Sequence, residues 1–216
     1  MHGTDISQGS RAEKMSKALI GCGLAVLLLV GFVALMITGV YNNLVGLQEG
    51  VDGAWGQVEN VYQRRADLIP NLVATVKGAA DFEQETLQNV VEARAKVGQM
   101  NLEGAPTASQ MQAFQANQDA LSSALSRLLV VVERYPELKA VQAFRDLQVQ
   151  LEGTENRIAV ARRDYIDSVR GFNTAVRKFP TNLIAGMFGF EKLPQMEFDE
   201  GERETPKVDF EFGKDE

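Results

Sequence analysis

Charged and amide side chains occupy positions where helical spacing requires apolar ones. Arg65, Glu83, Arg94, Glu155 and Arg162, with Gln48, Gln118 and Gln148, fall on rows three and four residues apart that otherwise read apolar. Such a row is the buried seam of a helix. A charge on it either pairs to fix register or lines a binding layer. In an antiparallel arrangement, heights follow from a rise of ~1.5 Å per residue. Glu83 then lies about 21 Å along its helix, Glu155 about 27 Å, and Arg94 and Arg162 both about 37 Å. Long side chains bridge layers at such heights. A second group, Arg64, Arg65, Asp67 and Asn71, sits where a turn between the first two helices is expected. Those four residues are expected to form a hydrogen-bonded cluster holding a sharp connection; the alternative is a partner-binding tip.

Residue types exclude most other chemistry. The only histidine is His2 and the only cysteine is Cys22. A di-iron bundle needs Glu-x-x-His on two helices, and zinc needs Cys and His ligands. Nucleophilic catalysis by a Ser/His or Cys/His pair fails for the same reason. No glycine-rich loop joins a strand to a helix, so phosphate cradles of that kind are absent. An enzyme would have to work with carboxylates alone, such as Glu152 with Glu155. The expectation is a non-enzymatic protein with no cofactor and no metal site. The formal net charge is −7, and residues 191–216 hold ten acidic and four basic residues, a net −6. With no basic face interleaved with aromatics, nucleic acid is not an expected partner.

These residues must be positioned by helices. Residues 1–17 read as a short disordered tail. The run 18–40 is 23 residues long with no charge, Asn or Gln. It spans about 34 Å, against a hydrocarbon core of about 30 Å. It is too long for the apolar core of a secretory signal, and it ends in Tyr41-Asn42-Asn43. Leu19-Ile20-Gly21-Cys22 looks like a lipoprotein box, but its apolar segment follows the cysteine instead of preceding it. The run is expected to cross a membrane once. Arg11, Lys14 and Lys17 precede it, and the next basic residue is Arg64. That bias favours a cytoplasmic N-terminus with the remainder outside.

Four helical stretches follow, at about 41–66, 69–100, 107–134 and 137–179. Asp67 and Pro70 signal the start of the second, Asn101 to Pro106 end it, and Pro136 and Pro180 bound the fourth. The fold class is therefore all-α: one transmembrane helix, then an antiparallel bundle of four long helices over 41–180. Residues 181–216 form a C-terminal segment, apolar then acidic and disordered. Its stretch 182–190 is uncharged and too short to span. It is expected to dip into the membrane interface with Phe188 and Phe190 deepest; the alternative is that Leu183, Ile184 and Phe188 cap the bundle. Trp55, Tyr62 and the end of the long fourth helix offer apolar surface for homo-oligomerisation.

The chain resembles the LemA family over about 41–190. The similarity is carried by Tyr41-Asn42-Asn43-Leu44-Val45, Ala54-Trp55, the run Arg64 to Val73, Val76-Lys77-Gly78, and Glu92-Ala93-Arg94-Ala95. It continues in Glu133 to Ala140, Glu152 to Ile158, and Ala161-Arg162-Arg163. Phe82-Glu83 and Tyr165-Ile166 depart from the family's usual His-Glu and Tyr-Asn. The resemblance implies a bacterial single-pass membrane protein with a four-helix domain, and it implies no activity. The expected role is a self-associating envelope scaffold that organises or remodels the bilayer. The alternative is an adaptor presenting partners to an envelope protease or another membrane complex.

Overall fold

The computed structural model describes residues 6–78, 83–100 and 104–196. Every regular element among them is helical. In chain order they are α1 (Ile6–Lys77), α2 (Gln84–Gly98), α3 (Ala108–Val132), the short α4 (Pro136–Ala140), α5 (Gln142–Arg177) and α6 (Thr181–Phe188). Residues 1–5, Ala80 and Phe82, the first part of the 101–106 loop, and the acidic tail from 197 onward lie outside the described residues.

α1 departs from expectation at two places. It begins at Ile6, inside the segment read as a tail, and it continues through Pro70 to Lys77 with no turn at 66–69. The helix expected over 69–100 is therefore divided. Its first part completes α1, and the chain breaks after Gly78 before α2 starts. Proline inside a helix removes the amide that should bond the carbonyl four residues back, here that of Ala66. The orphaned oxygen finds another donor: Arg94 Nε lies 2.9 Å from Ala66 O. A guanidinium from α2 thus replaces the bond that Pro70 deletes, and the helix does not have to end there.

Other element ends follow from local chemistry. Thr107 caps α3 in a reciprocal box with Gln110. Pro136 opens α4 at a position where its missing amide is harmless. Val141, inside the stretch expected to be helical from 137 to 179, instead adopts an extended conformation between α4 and α5 and is exposed. That one-residue break lets Leu138 and Phe144 both reach the core. Gly104 takes a positive φ of 73°, and the next amide, Ala105 N–H, donates to Asp52 Oδ1 at 2.9 Å.

The described residues divide into two compact units. The larger, from 51 to 170 plus the segment from Leu193, holds the main core. Ile69, Leu72 and Val76 of α1 meet Leu87, Val90 and Val97 of α2, Leu121, Leu125 and Leu128 of α3, and Phe144 and Leu151 of α5. The smaller comprises residues up to 50 and 171–192. In it, Leu24, Leu27, Leu29, Phe32 and Leu35 of α1 are all exposed. This stretch of α1 is long and apolar enough to cross a membrane.

The proline–arginine pair yields a test. Arg94→Met keeps the apolar stem but orphans the Ala66 carbonyl, and is expected to cost ~1–3 kcal/mol. In a Pro70→Ala background the helix supplies its own amide, and the same change is expected to cost much less. Denaturant unfolding in detergent, followed by circular dichroism, measures both. Equal costs in the two backgrounds would refute the substitution of one donor for the other.

Candidate functional site

α1, α3 and α5 bring one buried cation together with its acceptors. Arg65 is 1% exposed. Its Nη1 donates to Ser122 Oγ and Glu155 Oε1, each at 2.8 Å. Its Nη2 donates to the Gln118 carbonyl at 3.3 Å and to that residue's Oε1. The guanidinium carbon also sits 5.0 Å from the Tyr62 ring centroid, in cation–π range. Glu155 is half-exposed, so the ion pair leads from the core to solvent.

An aromatic layer lies next to this cluster. Trp55 packs edge-on against Phe114 and Tyr165, with ring centroids 5.1 and 5.4 Å apart, and Phe114 meets Tyr62 at 5.0 Å. Trp55 and Tyr62 are both buried, so they are core residues and not the free surface expected for oligomerisation. Burial raises the Tyr62 hydroxyl, and the Arg162 and Arg65 guanidiniums oppose that shift. Burial also raises the Glu59 carboxyl, with the Trp55 N–H pulling it back. Tyr165 donates to the Pro194 carbonyl at 3.3 Å. Burial, helped by the Asp52 charge, pushes its hydroxyl up to about 12.

The expected polar residues are distributed as follows. Arg65, Gln118 and Glu155 meet. Arg94 serves the Ala66 carbonyl, and Arg162 stands near Tyr62. Glu83, at the start of α2, pairs with Arg134 at 2.9 Å, beyond the end of α3. Gln48 is exposed, and Gln148 bonds Glu152 within α5. Arg64, Asp67 and Asn71 are exposed along the uninterrupted α1; Asp67 accepts from Gln63 one turn back. The sharp connection they were expected to hold is absent, because the donor from α2 carries α1 past Pro70.

Phe188 and Phe190 sit beside Tyr41, with ring centroids 4.9 and 5.8 Å away, and Phe190 also meets Phe172 at 6.4 Å. Phe190 is half-buried, whereas Phe188 is exposed, together with Phe179, Leu183 and Met187. Among the described residues, no cluster of His, Cys, Asp and Glu is placed to hold a metal ion.

The LemA family profile matches residues 54–210, more than half of the sequence. The chain belongs to the LemA family. Arg65, Gln118, Glu155 and the aromatic layer all lie inside the matched span. This LemA-family chain is similar to Magnetosome protein MamQ 2 of Paramagnetospirillum magneticum, 27% identical over 188 residues that cover 78% of the chain and 68% of that protein. It is similar to Magnetosome protein MamQ of Magnetospirillum gryphiswaldense, 24% identical over 189 residues, with 79% and 69% covered. Protein LemA of Metamycoplasma hominis is 23% identical over 159 residues, with 74% and 69% covered. None of these names is that of an enzyme. Family, relatives and the bare apolar stretch of α1 together point to a membrane-associated envelope protein.

Two measurements test the site. Gln118→Leu leaves a buried guanidinium short of an acceptor and is expected to cost ~2–3 kcal/mol. Adding Arg65→Met removes the charge as well and should recover much of that loss; a double variant less stable than Gln118→Leu alone contradicts the cluster. Tyr165 gives a pH signature. An acid whose folded-state pKa is raised holds its proton longer when folded, so its stabilising contribution is complete below its unfolded value. That contribution should be lost as pH rises from 10 toward about 12, and Tyr165→Phe should flatten this part of the stability–pH curve. An unchanged slope would assign the alkaline loss to other groups.

Proposed function

We propose that this chain is a non-enzymatic membrane scaffold: α1 crosses the inner membrane over 18–40, and the remaining helices form an antiparallel four-helix bundle that associates with further copies. The direction of the contacts supports the bundle. Going up α1 from Trp55 to Arg65, the partners on α5 go down, from Tyr165 to Glu155. α2 and α3 behave alike: Met100 meets Asn117, and Glu83 meets Arg134. The excess of Arg11, Lys14 and Lys17 before the apolar run supports a cytoplasmic N-terminus.

Self-association rests on one observation, an open groove of about 480 Å³ between α1 and α5. Val61, Val160 and Ala161 form its apolar lining, with Gln57, Asn156, Arg157 and Asp164 around them. Val160 is 46% exposed. An apolar strip with a polar rim is the anatomy of a protein interface, and a second copy supplies helices of matching character.

Cysteine crosslinking in native membranes tests the proposal. With Cys22→Ser in place, Val160→Cys is expected to give a dimer-sized product with a bifunctional thiol reagent. Val130→Cys, on the exposed face of α3, is the control and should give none. A protein that stays monomeric by light scattering and yields no product from position 160 removes self-association. A product of another mass, identified as a different protein, replaces the scaffold with an adaptor.

A further inference from the structure

We propose that α6 and its flanks form a second membrane contact, a short helix lying in the headgroup region of an anionic phospholipid surface. The inference rests on the reading of 18–40 as a membrane span. α6 has two faces. Ile184 and Ala185 are buried, at 4% and 1% exposure. Leu183 and Met187, four residues apart on α6, face outward at 62% and 66% exposure, and Phe179, two residues before the helix starts, is exposed at 75%. Residues at that spacing share one side of a helix. Between Lys178 and Glu191 the chain has no charged residue. So outward an apolar row, unbroken by any charge, has no counterpart elsewhere on the described elements beyond the exposed stretch of α1.

The position of α6 says what covers this row. Tyr41 directly follows the apolar run of α1, the place where an aromatic ring marks the boundary between hydrocarbon and water. Phe188 and Phe190 pack on that same ring. Gly189 makes the packing possible: its φ of 77° turns the chain back after α6, and the Phe190 amide closes the turn on the Ala185 carbonyl at 2.9 Å. α6 therefore lies at the level of Tyr41, and its outward row continues the lipid-facing surface of α1. Eight residues cannot cross the bilayer, but they can lie in its interface. Arg177 and Lys178, both exposed just before the row, suit anionic headgroups.

Spin labelling of the full-length protein in vesicles of phosphatidylethanolamine and phosphatidylglycerol tests this. A label on the native Cys22 reports on the span. Labels on Leu183→Cys and Met187→Cys, each with Cys22→Ser, report on α6. A label on Gln150→Cys, exposed on α5, is the aqueous reference. The ratio of oxygen to nickel-chelate accessibility is expected to be several-fold higher at 183 and 187 than at 150. If the Cys22 label is in lipid but positions 183 and 187 match position 150, the α6 contact is wrong while the span stands. If the Cys22 label itself reads as aqueous, the span fails and the inference fails with it. Low accessibility to both reagents at 187, with dipolar broadening between copies, would show a protein interface and also overturns it. A fall in the ratio when phosphatidylglycerol is replaced by phosphatidylcholine, or on Arg177→Gln with Lys178→Gln, supports the anionic surface; no change in either overturns that part.

Discussion

Burying one guanidinium sets the terms for the larger unit. Taking a charge out of water costs several kcal/mol even after relaxation, and Arg65 is almost fully removed from solvent. The cost is offset only where acceptors are in place, and they come from two other helices: Ser122 and Gln118 from α3 and Glu155 from α5. A one-turn slip of either helix moves its acceptors by about 5.4 Å and leaves the charge unpaired. Apolar residues in the same core would tolerate such a slip far better, because Leu, Val and Ile contacts are not directional. The cluster therefore selects register, and the aromatic layer of Trp55, Phe114, Tyr62 and Tyr165 can pack edge-to-face only once that register is set.

At the very next residue of α1, the backbone imposes a similar demand. The Ala66 carbonyl loses its helical donor to Pro70 and recruits Arg94. α1 is thus tied to α3 and α5 through residue 65 and to α2 through residue 66. Neighbouring residues, one through its side chain and one through its carbonyl, connect all four long helices of this unit.

Helical periodicity put Arg65, Gln118 and Glu155 on buried rows, and the apolar run of α1 needed only composition and length. What the pattern could not supply was pairing, since a period identifies a face and not what faces it. The expected heights of Glu83 and Arg94 failed for a traceable reason. They were counted from a turn placed at Pro70, where local chemistry alone would end a helix. The donor that overrides it lies 28 residues away and leaves no local trace. The pairing that forms instead joins Arg65 directly to Glu155, at 2.8 Å. The Asp52–Ala105 bond and the exposed row on α6 were equally hidden, the first because it is long-range, the second because burial splits an evenly apolar stretch into two faces.

The spacing of the Arg65 cluster along the chain also matters while the protein is being made. Glu155 follows Arg65 by 90 residues. At translation rates of ~5–20 residues per second, the nascent chain waits on the order of ten seconds between the two. During that interval the guanidinium must stay hydrated, and the apolar residues beside it have no α5 to cover them. The α2–α3 pair, contiguous in sequence, closes early by local contacts, whereas α1 and α5 meet last. The apolar run of α1 is synthesised before all of this, so that stretch leaves the ribosome before the charged core can assemble.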